Sequence, residues 1–256
     1  MPETMRRGAF ALVAAAALLT GAAQAASTQD TPPPSPTEAC GSSANALGAQ
    51  SRWLRTTDGT RIYAVHAGSG TTAIVLAHEA QSDICEWLPY AKTLVDSGFR
   101  VLAFDFRGYG RSDSPRRNRL SLGNDLAAAV AAVRGDGANR VFLLGASMGG
   151  GAVVQNTSRL AVDGRISLSG TRLWRGYGVN DPAGVRRLRA PFLYMGGRRD
   201  PIVPLSEALR IFRRVGSRDK RTAIYRGSAH GIDLVQRTPY SARARALIVS
   251  WIRSRS

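Results

Sequence analysis

Ser147 sits between two glycines, Gly145 and Gly149, in the segment LLGASMGGGA. The apolar run before it reads as a strand and the small residues after it as a helix start. A nucleophile on such a junction must project from a tight, strained turn. Strand and helix then pass so close that the positions two before and two after tolerate little beyond hydrogen. Glycine at both positions accounts for the spacing. The helix start offers the positive end of a dipole, and the Met148 amide is placed to bond a developing oxyanion.

A serine hydroxyl is a weak nucleophile at neutral pH and needs a base, a task that suits the pKa of histidine. The chain has three. His66 lies in IYAVHAG, on an early strand, and reads as a strand residue with a satisfied hydrogen bond. His78 ends the run IVLA, where it shapes the adjacent loop. His230, in YRGSAHGID, follows the last strand-like run and precedes the last helix, and is the expected base. The base needs an acid to fix its tautomer and stabilise the imidazolium. Asp200 in FLYMGGRRDPIVP stands just past the preceding strand, within reach of the next loop, although it could instead cap the helix that follows. Asp219 falls in the charged SRDKR turn, and Asp233 stands where helix capping would explain it. Ser147, Asp200 and His230 therefore run in the order nucleophile, acid, base.

The elements that must position them are legible in the apolar pattern. Short apolar runs at 72–77, 100–105, 140–145, 165–170, 191–197 and 222–227 read as strands buried on both faces, the mark of a parallel sheet. Asp58-Gly59 between two alternating runs predicts an antiparallel hairpin ahead of them. Amphipathic helices alternate with the strands. One carries Trp87, Tyr90, Ala91, Leu94 and Val95, a second Leu122, Leu126, Val130 and Val133, and a third Leu205, Ala208, Leu209 and Phe212. A final helix carries Tyr240, Ala244, Leu247, Ile248, Trp251 and Ile252. This alternation predicts an α/β doubly wound sheet in a single domain over 51–256.

Four segments now carry a resemblance to the α/β-hydrolase fold superfamily. LLGASMGGGA resembles its nucleophile elbow, GGRRDPIVP its acid loop and GSAHG its histidine loop. FDFRGYGRSDSP, with Asp105, Arg107, Gly108, Gly110 and Ser112, resembles the structural segment after its fourth strand. The resemblance covers about 51–253 and implies a serine hydrolase that cleaves small-molecule carboxylic esters through an acyl-enzyme. Many relatives follow the third strand with His-Gly, whereas this chain has LAHEAQSD, with Glu79 in the glycine position. By position Ala80 donates the second oxyanion amide, with Glu79 as the alternative. A glutamate there is similar to dienelactone hydrolases, in which it is functional. Glu79 has two readings: an electrostatic tuner of Ser147, or an exposed loop acid. Only TRLWRGYGVNDPAGVRRLRA separates the strands ending near Gly170 and starting near Phe192, which implies little or no cap domain and an open site bordered by Trp174 and Tyr177.

The rest of the chain bounds the setting. The sequence has 256 residues and 44% hydrophobic content, enough for one sizeable core. Arg6 and Arg7, the run AFALVAAAALLT and Ala23–Ala25 predict a secretory signal peptide over 1–25, hence a secreted, extracytoplasmic protein without a transmembrane segment in the mature chain. A Pro-rich spacer is expected over 26–50. In an oxidising compartment Cys40 and Cys85 are expected to pair, closing a loop worth about 4 kcal/mol. The histidines and cysteines make no metal-ligand set, and no metal or organic cofactor is called for. Formal charge is +17, and removing two arginines and one glutamate with the leader leaves +16. The arginines are scattered and not interleaved with aromatics, which argues against a specific nucleic-acid platform and leaves weak association with anionic surfaces. The alternatives are a non-catalytic basic binding protein on this scaffold, or a thioesterase, amidase, lyase or dienelactone hydrolase-like relative. The oligomeric state is not legible in the sequence.

Overall fold

The computed structural model describes residues 31–115, 121–155, 160–170 and 182–256. The predicted leader, Trp174 and Tyr177 lie outside the described residues.

Eight strands form one sheet: β1 (Gln50–Arg55), β2 (Arg61–Ala67), β3 (Thr72–Ala77), β4 (Arg100–Phe104), β5 (Arg140–Ala146), β6 (Gly164–Leu168), β7 (Phe192–Gly197) and β8 (Lys220–Tyr225). Their spatial order is β1-β2-β4-β3-β5-β6-β7-β8. β2 runs antiparallel to both β1 and β4, and every later pair is parallel. The sheet is thus the expected doubly wound one, opened by an antiparallel hairpin. The hairpin registers Arg55 opposite Arg61, so its connection is five residues long and not the two that Asp-Gly alone suggests. Thr56 sets that loop, its hydroxyl bonding both Asp58 and Thr60.

Alternation along the strands sorts the core into two layers. On β5, Phe142 and Leu144 face one cluster with Trp87, Tyr90, Ile248 and Trp251, while Val141 and Leu143 face the other with Leu126, Met148, Val153 and Ile211. Helices α2 (Leu88–Asp96) and α8 (Ser241–Arg253) cover the first face. Helices α3 (Leu122–Gly135), α4 (Ser147–Gln155) and α6 (Leu205–Arg214) cover the second. α2, α3, α6 and α8 lie where the periodicity predicted helices and α4 at the predicted start after Ser147, but α6 buries Ala208 and Ile211, so its buried face is turned from the one expected.

The expected spacer over 26–50 differs most. Residues Pro36–Cys40 form a helical turn, and a 3-10 segment Gly41–Leu47 follows, burying Ala44 and Leu47 in the core. Two local causes override the proline composition. Ser35 and Glu38 make a reciprocal capping box, with Pro36 at the first helical position. A disulfide joins Cys40 to Cys85, as expected.

The segment after β4 is fastened by charge. Asp105 takes the amides of Ile84 and Arg111, each at 2.8 Å, and burial pushes its carboxyl up to about 6. Arg107, fully buried, pairs with Asp125 of α3 at 2.6 Å and with Asp58 of the hairpin loop at 2.7 Å. The FDFRGYGRSDSP motif is therefore a clamp between hairpin and helix.

Candidate active site

Strands β3, β5, β6, β7 and β8 are parallel neighbours, so their carboxyl ends share one rim, where an open α/β sheet places its crevice. Four of the predicted site segments emerge there: His78–Ala80 after β3, Ser147 after β5, Asp200 after β7 and His230 after β8.

Ser147 opens α4 with φ 46°, a left-handed conformation rare for a residue with a side chain. It is 4% exposed. The close packing expected of its neighbours is present. A Cβ on Gly145 would overlap the Gly149 carbonyl, and one on Gly149 would overlap the Ala77 carbonyl. The turn at Ser147 is thus fixed by backbone against backbone. Gly149 N–H donates to the His78 carbonyl at 3.1 Å, joining this turn to the loop after β3.

Asp200 and His230 are brought together. His230 Nδ1 lies 2.9 and 3.0 Å from the two carboxylate oxygens of Asp200. Asp200 Oδ1 also accepts the amides of Ile202 at 2.9 Å and Val203 at 3.0 Å. Burial opposes ionisation of this carboxyl, but the bonds from His230 and the two amides outweigh it and hold the pKa below the usual range. The helix that follows begins only at Leu205, with Pro204 at its cap, so Asp200 is bonded to loop amides and not to α6. The competing acids have other partners: Asp219 pairs with Arg255 at 2.8 Å and Asp233 with Arg237 at 3.0 Å. His66 sits half-buried in β2, where burial and then Arg52 lower its pKa. Among the described residues Ser147 Oγ and His230 are not hydrogen-bonded, a looseness common in unliganded catalytic sites.

His78 has a structural task. Fully buried, its ring is pushed down to about 4 and stays neutral at physiological pH. Nε2 accepts the Phe106 amide at 2.9 Å, so the proton is on Nδ1, which donates to the Glu79 carbonyl at 2.6 Å. Because the peptide is planar and trans, fixing that carbonyl aims the Ala80 N–H the opposite way. Glu79 N–H donates to Glu86 Oε1 at 3.0 Å and is therefore occupied, whereas the Ala80 N–H has no partner among the described residues. Of the two amides considered from sequence, Ala80 is the one left to donate. Met148 N–H stands in the first turn of α4, where helical amides lack a partner within the helix.

Glu79 is not an exposed loop acid. Its Oε1 accepts the Ile232 amide at 2.8 Å, and it lies against Gly231, whose φ is +47° and whose Cβ, if present, would overlap that oxygen. Burial raises its pKa, and Asp233 and Asp200 add to the rise, while the Ile232 bond and the facing His230 lower it. Sequence reasoning missed two residues here. Glu86 sits behind Glu79, and burial, then the Glu79 charge, push it up to about 8. Ser169, at the end of β6, is buried with φ 49°, and its hydroxyl helps to lower the Asp200 carboxyl. Among the described residues no group of three or more His, Cys, Asp or Glu is arranged to hold a metal ion.

With this geometry in view, the comparisons with known proteins fall into one class. A family model described as serine aminopeptidase, S33, matches residues 69–172. Epoxide hydrolase A of Mycobacterium tuberculosis is 34% identical over 119 residues, covering 46% of this chain and 37% of that protein. The chain thus spans about two fifths of the length of the curated relatives it matches. An esterase from Pyrococcus furiosus superposes with TM-score 0.71 at 16% identity, covering 82% of this chain and 92% of its own. A monoacylglycerol lipase from Paleococcus ferrophilus gives TM-score 0.66 at 19% identity, covering 76% and 99%. Together with the strand order, the superpositions show that the chain has the fold of these esterases and lipases, that of the α/β hydrolases.

Proposed function

We propose that this protein is an exported serine hydrolase that cleaves carboxylic esters of small molecules. Ser147 attacks the carbonyl while His230 takes its proton, with Asp200 holding the imidazole by Nδ1. The amides of Met148 and Ala80 bind the oxyanion. His230 then protonates the leaving alcohol, and water releases the acyl group. The observation that carries this reading is the two-oxygen bond from Asp200 to His230, on the rim where Ser147 is held in a left-handed turn. The Cys40–Cys85 disulfide supports export, because such bonds persist in oxidising compartments. No helix among the described residues is long and apolar enough to cross a membrane.

The test is to label the folded protein with a fluorophosphonate and locate the adduct by mass spectrometry. Label on Ser147, absent in Ser147→Ala, together with turnover on an ester panel, is the expected result. Folded protein that neither labels nor turns over would overturn the reading.

A second reading, retention of an anionic partner without catalysis, has one feature in its favour. A cavity of about 470 Å³ between β8 and α8 is lined by Arg221, Arg226 and Arg243, beside Tyr225 and Tyr240, whose rings stack at 4.7 Å. Salt-sensitive binding to polyanions combined with absent turnover would favour it.

A further inference from the structure

The amide, the carbonyl and one carboxylate oxygen of Glu79 are committed, and each leads to a different part of the site. Its carbonyl accepts from His78, which is anchored in turn to the segment after β4. Its amide donates to Glu86, in the 3-10 turn Ile84–Trp87 that bears the disulfide. Its carboxylate crosses to the histidine loop and takes the amide of Ile232, two residues beyond His230. Gly231, between them, leaves the room the carboxylate occupies. The oxyanion loop and the histidine loop are therefore joined by one side chain, separated by 153 positions in sequence.

Building on the serine hydrolase reading, we propose that Glu79 is a positioning residue for the base. It clasps the His230 loop through Ile232 and presents a second negative charge, besides Asp200, to the imidazolium formed during turnover. Such a charge contributes in the transition state, once the imidazole has taken the serine proton. Among the described residues, the charged and titratable groups around the clasp are few. Glu86 and Asp83 belong to the 3-10 turn, Asp200 to the loop after β7, and His230 and Asp233 to the loop after β8 and the helical turn Asp233–Gln236. Burial, then the Glu79 charge, push Glu86 up to about 8, so that it is protonated at neutral pH.

Glu79→Gln and Glu79→Ala separate the two roles. Glutamine keeps an oxygen for the Ile232 amide but removes the charge, and alanine removes both. We expect Glu79→Gln to lower kcat about tenfold and to move the acidic limb of the kcat/KM profile about one pH unit lower, because His230 loses an anion that favours its protonated form. Glu79→Ala should add faster hydrogen exchange at the Ile232 amide, which Glu79→Gln should leave protected. Gly231→Ala is expected to cost more in the wild type than in the Glu79→Ala background, where the added methyl no longer meets a carboxylate. This cycle also serves if Glu79→Gln fails to fold.

A Glu79→Gln variant with the wild-type rate and pH profile, in an enzyme that turns over, would overturn this proposal alone; if it does not fold, an equal Gly231→Ala cost in both backgrounds would do so. A wild type that neither labels nor turns over would overturn the hydrolase reading, and this one with it.

Discussion

The two sides of the candidate site are built by different physics. On the serine side, the turn between β5 and α4 is closed by main chain: Gly145 against Gly149, and Gly149 against the carbonyl of Ala77. On the histidine side, Asp200, Glu79 and loop amides hold His230 and its flanks by hydrogen bonds, and carboxyl groups do most of the holding. The serine is therefore placed by volume and the base by polarity. The first arrangement should be indifferent to pH and intolerant of a methyl group. The second should tolerate changes of shape and respond to charge.

The largest expected effect breaks the serine side. Gly149→Ala would drive a methyl into a main-chain oxygen that cannot rotate away, and the expected outcome is loss of detectable turnover or of soluble protein, read by labelling and by circular dichroism. Asp200→Asn probes the other side. Asparagine keeps an oxygen for Ile202 and Val203 but presents the wrong partner to Nδ1, so kcat should fall about 10⁴-fold while the melting temperature changes little. Cys85→Ser leaves both sides chemically intact and loosens the turn that carries Glu86. Stability should fall by about 2–4 kcal/mol in denaturant titration.

The smallest effect is the most diagnostic. Glu86 titrates near 8 in the folded protein and near 4.5 when unfolded. The folded state thus holds an extra proton between those values, and the stability this group contributes is lost as pH rises from about 4.5 to about 8. Glu86→Gln removes that loss. The variant should melt a few degrees above the wild type at pH 8–9, and the difference should vanish near pH 4.5. A difference independent of pH would show that this carboxyl is not buried against Glu79, and the contrast between the two sides would weaken.

The same contrast explains what could be read from the sequence. Local rules carried the strands, the helix faces, the glycine spacing around Ser147 and the order of the site residues. Each depends on neighbours within a few positions or on alternation along one element. The order β7 to β8 then brought Asp200 and His230 together without further information. The Glu79 contact with Ile232 obeys no local rule, because it depends on how two loops fold over the rim. Glu86 was illegible for the same reason: its raised pKa comes from burial beneath residues distant in the chain. The structured turn at Pro36–Cys40 is a different case. Ser35 and Glu38 stand at capping-box spacing in the sequence, and a reading by proline content alone passes over that signal.

The clamp at Arg107 bears on how the molecule assembles. A guanidinium with 1% exposed side chain pairs with Asp125 of α3, which is fully buried, so neither can leave the other without stranding an unpaired charge in the interior, whereas Asp58 of the hairpin loop, 40% exposed, can let go into solvent. The segment after β4 and α3 therefore open as a unit, and slow-exchanging amides in the two should share a single opening free energy, while the hairpin loop can exchange independently.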